Sequence, residues 1–176
     1  GERVYVLSNI NLLSELQHVR KANTDGVGLY RSEFPYLVRD ELPSEEEQYW
    51  IYRKLVEEMD GHPVTFRTLD IGGDKTLPYL SSIKEDNPFL GLRAIRFLLR
   101  NPDIFSQQLR AFLRAGAGAD IGIMFPLVTG VDDFLEASNM VQSCIKELDE
   151  EGVSHNARPR LGAMVELPSV IEVAEE

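Results

Sequence analysis

The sequence reads as an α/β protein, and two arrangements fit it: a doubly wound open sheet and a (β/α)8 barrel. Short apolar runs rich in β-branched residues alternate along the chain with stretches whose apolar residues recur every three to four positions. Several of the short runs are apolar throughout, as in a parallel sheet covered on both faces. The predicted order, β-α-β-α-β-α-α-β-α-β-α, is that of parallel strands joined by right-handed crossovers. No G-x-G-x-x-G follows the first strand, which weakens a dinucleotide-binding reading. There is no internal repeat beyond this alternation and no low-complexity segment.

VYVLSNI at 4–10 alternates and predicts the first strand. A helix bearing Leu12, Leu13, Leu16 and Val19 follows, ending near Asp25-Gly26. VGLY at 27–30 is the second strand, running into Arg31, Ser32 and Glu33. Ser44 with Glu47 forms a capping box that starts a helix with Tyr49, Tyr52, Val56 and Met59 on one face. Asp60-Gly61 stops it. PVTFRTLDI at 63–71 is the third strand. A connection of about twenty residues then precedes a helix near 92–99, and loops of that length are functional or disordered more often than not. Asn101-Pro102 caps a helix with Phe105, Leu109, Phe112 and Leu113. IGIMFPLV (121–128) is the fourth strand, and 131–150 is a helix with Phe134, Val141, Ile145 and Leu148 inward. RLGAMVELP (160–168) is the fifth strand, and SVIEVAEE opens a last helix.

With 176 residues and 43% hydrophobic content, the chain can bury one domain's core. No apolar run is long enough for a membrane helix, and no signal-peptide pattern opens the chain. A formal charge of −11 argues against broad nucleic-acid binding but leaves room for a local basic pocket. The single cysteine, Cys144, excludes an internal disulfide and fits a reducing cytoplasm. It shares a helical stripe with Phe134, Ala137, Val141 and Leu148, which points to packing rather than reactivity. There is no His/Cys cluster with zinc spacing. The opening GERVYVLSN without Met and the end inside a helical pattern read as a piece of a longer protein.

The chemistry gathers at the strand ends. Arg31 ends the second strand, Arg67 and Asp70 end the third, and Glu166 ends the fifth. In a barrel these ends open onto one face, where catalytic groups collect. Arginine forks suit bidentate contact with phosphate or carboxylate, and two arginines with Lys75 call for an anion. A carboxylate such as Glu166 beside that anion suggests bridging Mg²⁺. The plainer alternative is local pairing, Arg31 with Glu33 or Arg67 with Asp70. GGDKT at 72–76 is not a phosphate loop, since no Gly directly precedes Lys75. Gly72-Gly73 also fits a plain turn. His18, His62 and His155 read as surface residues, and no Ser/His/Asp set is visible.

GVGLYRSEF (26–34), TFRTLDIGGDK (65–75), EDNPFLGLRAIR (85–96), IMFPLV (123–128) and GAMVELPS (162–169) together resemble the C-terminal domain of the phosphoenolpyruvate–protein phosphotransferases, enzyme I of the phosphotransferase systems. The match covers nearly the whole chain, in order. The resemblance implies residues 1–176 as a partial phosphoenolpyruvate-binding (β/α)8 TIM barrel, about five of its eight βα units. It implies Arg31, Arg67 and Arg93 as grips on the phosphate of phosphoenolpyruvate, with Lys75 and Asn87 in motifs that line the same site, and Glu166 as one carboxylate ligand of Mg²⁺. It further implies a cytoplasmic enzyme that is a homodimer, and phosphoryl transfer to a histidine on a separate N-terminal domain and then to a small phosphocarrier protein.

This sequence departs from the family in three ways. Ser32 stands where Thr is usual. The phospho-acceptor domain is not in these residues, and none of the three histidines replaces it. The second metal carboxylate, a further arginine and the cysteine that protonates enolpyruvate would follow Glu176, and Cys144 is not that cysteine. No catalytic residue is therefore expected within 1–176, and the piece is expected to be inactive alone. Five parallel strands leave two unpaired edges, so oligomerisation, element swapping or membership of a larger ordered domain is expected. EFPYL and RPRLGAMVELPS are closer to the nitrogen-regulatory branch than to the sugar branch. The alternatives are a barrel of a pyruvate phosphate dikinase or phosphoenolpyruvate synthase relative, and a non-catalytic phosphoenolpyruvate-sensing or dimerisation module.

Overall fold

The computed structural model describes residues 1–72 and 92–175. Lys75 and Asn87 lie outside them, as does most of the long connection after the third strand. The strands are β1 (Leu7–Ile10), β2 (Gly26–Arg31), β3 (Val64–Arg67), β4 (Ile121–Phe125) and β5 (Arg160–Ala163). They form one sheet in the order β1-β2-β3-β4-β5, and every pair is parallel. A doubly wound sheet reverses its order at a switch point, and among the described residues these five strands do not.

The helices are α1 (Leu16–Lys21), α2 (Phe34–Leu37), α3 (Glu45–Glu58), α4 (Ile95–Arg100), α5 (Pro102–Ala115), α6 (Val131–Glu150) and α7 (Pro168–Glu172). Period-2 alternation decides which residues meet them. Tyr30 of β2 and Phe66 of β3 are partners in register and both fully buried. They point outward into an aromatic cluster with Tyr52 of α3 and Phe112 of α5. Phe66 stacks on Phe112 at 4.6 Å between ring centres, and Tyr30 meets Tyr52 edge-on at 6.0 Å. Their neighbours Arg31 and Arg67, also in register, face the other side of the sheet.

The expected core of α5, namely Phe105, Leu109, Phe112 and Leu113, is fully buried. On α6, Val141 and Leu148 are buried, while Phe134 is half-buried. Cys144 is buried in the same stripe, and burial pushes its thiol up to about 12. The Ser44 box forms as read: Ser44 Oγ accepts from the Glu47 N–H, and the Ser44 N–H donates to Glu47 Oε2 at 2.9 Å.

Every strand except β2 is shorter than its apolar run, for local reasons. Residues 4–6 precede the start of β2's pairing at Gly26 and stay exposed, with Val6 tied to Asp25. Pro126, without an N–H, ends β4 after Phe125. After β3, Thr68 keeps one backbone bond to Met124, and the Leu69 and Asp70 N–H groups turn to the side chains of Gln108 and Glu33. Asn101 stands at the N-cap of α5 with Pro102 in its first turn, as read, though its side-chain amide donates to the Phe97 carbonyl of α4 at 2.8 Å rather than capping α5. Two further expectations are corrected. α1 ends at Lys21, short of Asp25-Gly26, because Asn23 turns the chain at φ 49°. His155 is not on the surface: its side chain is 6% exposed, with Nδ1 2.8 Å from the Val153 carbonyl oxygen. The short α2 was not anticipated.

Two outcomes follow in the complete natural chain that carries these residues. Phe112→Ala, which empties the centre of the aromatic cluster, lowers unfolding stability by about 3–5 kcal/mol in urea titrations. With its thiol held near 12, Cys144 has a thiolate fraction of about 10⁻⁴ at pH 8 and escapes iodoacetamide in the native state. Peptide mapping should find it alkylated only after denaturation.

Candidate functional site

Beyond the last ladder rung, the chain after β2 and the chain after β3 build a charged cluster together. Arg67 Nη2 donates to Glu33 Oε1 at 2.6 Å, and Arg67 Nη1 lies 3.8 Å from Asp70 Oδ2. The same Glu33 oxygen accepts the Asp70 backbone N–H at 3.1 Å. Arg93 grips Asp70 with two nitrogens, Nε at 3.0 Å and Nη2 at 3.4 Å. Asp70 therefore bridges the two arginines, and Glu33 fixes both the Arg67 head and the Asp70 backbone. The anticipated Arg67–Asp70 contact is present but long, and Glu33 pairs with Arg67 rather than with Arg31. Arg31 is exposed and makes no hydrogen bond or ion pair among the described residues. Among the described residues, three guanidiniums and two carboxylates gather here, in a chain whose formal charge is −11.

A cleft of about 330 Å³ opens over this cluster, lined by Arg31, Glu33, Arg67 and Asp70 with Asn11, Leu12, Phe34, Leu37 and Ile71. Its rim at Asn11 and Leu12 is held by Glu15, whose carboxylate accepts both N–H groups at 2.6 and 2.9 Å. Those bonds hold the Glu15 carboxyl below the usual range.

Arg93 reaches the site through an unusual turn. Gly72 pairs with Arg93 in an isolated antiparallel bridge, and the Ala94 N–H donates to the Ile71 carbonyl at 2.8 Å. Gly72 has φ +108°, and a Cβ there would sit 2.2 Å from the Leu92 carbonyl oxygen. Only glycine satisfies both conditions. Ala94, directly after Arg93, is held at φ 50°, ψ −122°, a strained conformation for a residue with a Cβ. In the sequence, Gly72 was legible only as a turn.

Glu166 follows β5, two strands from Arg67, and does not line the cleft. One of its oxygens, Oε2, accepts the Leu127 N–H at 3.0 Å. Leu127 presents that N–H from a turn at φ 52° in the β4–α6 connection. Among the described residues no three His, Cys, Asp or Glu side chains gather as a metal cage. Sequence reasoning missed a further group, the fully buried amides Gln48 and Gln108 beneath the cluster. Their only trace in the sequence is a polar residue on the apolar stripe of each helix.

A profile of the PEP-utilising enzyme family, PEP-binding domain, matches residues 1–176. This chain belongs to that family. It is 46% identical over 169 residues to the phosphoenolpyruvate-protein phosphotransferase of Mycoplasma capricolum subsp. capricolum, covering 96% of this chain and 29% of that protein. The protein of the same name from Staphylococcus carnosus is 45% identical over 175 residues, 99% of this chain and 30% of its own length. The Bacillus subtilis protein of that name is 43% identical over 176 residues, all of this chain and 31% of its length. The chain thus spans about a third of the relatives it matches. No described helix is long and apolar enough to cross a membrane.

Gly72→Ala adds a methyl where the Leu92 carbonyl stands and forces a residue with a Cβ into positive φ. The backbone strain alone costs about 1–3 kcal/mol. Chemical denaturation of the complete chain checks this, with Gly118→Ala, at φ +74° in open space, as the comparison that separates strain from contact.

Proposed function

We propose that the cleft binds the phosphate of phosphoenolpyruvate and that the complete protein is a phosphoenolpyruvate–protein phosphotransferase. The observation that carries this is a cleft lined by Arg31 and Arg67, with Arg93 joined to it through Asp70, in a chain whose relatives bear that name. The relatives' common name favours this reading over a dikinase or synthase barrel. The consecutive order of five parallel strands supports a partial (β/α)8 barrel, with the arginines at the C-terminal strand ends where such barrels do their chemistry.

In this reading Arg67 and Arg93 are held ready by Glu33 and Asp70, so little side-chain ordering remains to be done on binding. Arg31, without a partner of its own among the described residues, makes first contact with the phosphate. Guanidinium donors then stabilise the charge that spreads over the phosphoryl oxygens during transfer. Phe34 and Leu37 shield one side of the cleft from water. Lys75 and Asn87 are proposed to complete the phosphate site.

Glu166 suits Mg²⁺. Leu127 fixes one carboxylate oxygen and leaves the other to face a cation, and Mg²⁺ takes few protein carboxylates alongside waters and substrate phosphate. When bound, the ion supplies charge neutralisation at the phosphate. The acceptor histidine, the phosphocarrier partner, a cytoplasmic location and a homodimeric state are proposed for the complete protein on the strength of the family.

Arg31→Ala is the sharpest test because it breaks no ion pair among the described residues. Isothermal titration of the complete protein with phosphoenolpyruvate and Mg²⁺ should show at least about a tenfold loss of affinity. Stability should change by no more than about 0.5 kcal/mol. Unchanged affinity would remove Arg31 from the site, and no binding by the unsubstituted protein would end the proposal.

A further inference from the structure

Arg31 and Arg67 stand on the last rung that joins β2 to β3, and just past them the two chains leave each other's ladder. The β2–β3 ladder ends at the rung Arg31↔Arg67, yet the chain must continue in a defined path to place Glu33 and Asp70 against the Arg67 head. What holds it is a buried side-chain amide from the helix layer. Gln108 of α5 is fully buried. Its Oε1 accepts the Leu69 N–H at 2.8 Å. A backbone N–H can only donate, so this bond sets the amide's orientation and aims Nε2 at Ser32 Oγ, 3.1 Å away. Ser32, thereby an acceptor from Gln108, donates its own hydrogen to the Arg67 carbonyl at 2.8 Å.

The second Nε2 hydrogen faces the Tyr36 hydroxyl at 3.5 Å, a weaker contact. Tyr36 in turn donates to Gln48 Oε1 at 2.9 Å, Tyr52 donates to the same oxygen at 3.1 Å, and Gln48 Nε2 donates to the Pro43 carbonyl at 3.0 Å. Every hydrogen in this chain therefore has one consistent direction. The network ties α5 to the residue after Arg31, to both sides of Thr68, and to α2, whose Phe34 and Leu37 line the cleft. A buried network satisfied in only one sense specifies one geometry, because each reversal leaves a donor or acceptor unmet at high cost.

We propose that Gln108 is a positioning residue for phosphoenolpyruvate turnover: through Ser32 and the Leu69 N–H it fixes the chain just beyond the Arg31 and Arg67 strand ends, and so the placement of Glu33 and Asp70 that orients the arginine heads. It touches no substrate. This rests on the phosphotransferase reading given above.

The test uses the complete natural chain, assayed for phosphoryl transfer from phosphoenolpyruvate well below each variant's unfolding midpoint, with rates expressed per folded molecule. Gln108→Met keeps the side chain's length and removes its bonds to Leu69, Ser32 and Tyr36; Ser32→Ala removes one oxygen. Each lowers kcat/KM for phosphoenolpyruvate about 10- to 100-fold, as displacing binding groups by about an ångström does. The double variant falls no further than the worse single one, since both break the same chain. Ser32→Thr, which keeps the hydroxyl, restores at least half of the unsubstituted value. If Gln108→Met does not fold, the contrast between Ser32→Ala and Ser32→Thr decides alone. Variants that lose stability but keep the unsubstituted kcat/KM, or single losses that multiply in the double variant, overturn the inference while the phosphotransferase reading stands. No turnover by the unsubstituted chain overturns both.

Discussion

Arg31 and Arg67 occupy the same rung of a parallel ladder, and a parallel rung places its two side chains on the same face. One residue earlier, Tyr30 and Phe66 share the preceding rung and therefore the opposite face. The sheet thus separates two chemistries across the thickness of a single strand. Its outer face is an aromatic core shared with α3 and α5, and its inner face ends in guanidiniums. A one-residue slip of β3 would bury Arg67 among Tyr52 and Phe112 and expose Phe66 to the cleft. The aromatic packing that stabilises the fold is therefore also what holds the cations in place.

Bringing like charges together has a Coulomb cost, and the site offsets it with acids that arrive from separate segments. Glu33 comes from the turn after β2, and Asp70 from the chain after β3. Their carboxylates let Arg67 lie almost fully buried, where an unpaired charge would be expensive. Glu33 also receives the Asp70 N–H, so one carboxylate meets a side-chain and a main-chain requirement at once. Strain is stored nearby, at Ala94 and at Leu127, the two positive-φ residues beside Arg93 and Glu166. Backbone strain clusters where a fold must aim particular groups.

Beneath this lies a layer of neutral amides and hydroxyls, Gln108, Ser32, Tyr36, Gln48 and Tyr52, between the charges and the hydrocarbon core. Neutral groups suit that position. They satisfy the backbone where the ladder stops without adding a charge beside the ion pairs.

Much of the fold was legible in the sequence because its cause is local. Strand and helix identity follow from short-range periodicity, the Ser44 box needs only residues 44–47, and the inward residues of α5 and α6 repeat along one helix. The proposal that Arg31, Arg67 and Arg93 grip a phosphate came from motif resemblance, not from any local pattern in the sequence. Strand ends were overread because they depend on where a neighbouring strand stops, which no run of residues reveals by itself. His155 read as a surface loop residue because its burial comes from the fold around it. Glu33 could have paired with Arg31, two residues away, or with Arg67, thirty-four away, and only the register of β2 against β3 decided between them. The sequence by itself determined the α/β class, the core faces and the identity of the charged groups. The tertiary structure alone decided which charge meets which and that Gln108 bonds the backbone beside them, because those contacts span sequence separations over which periodicity carries no information.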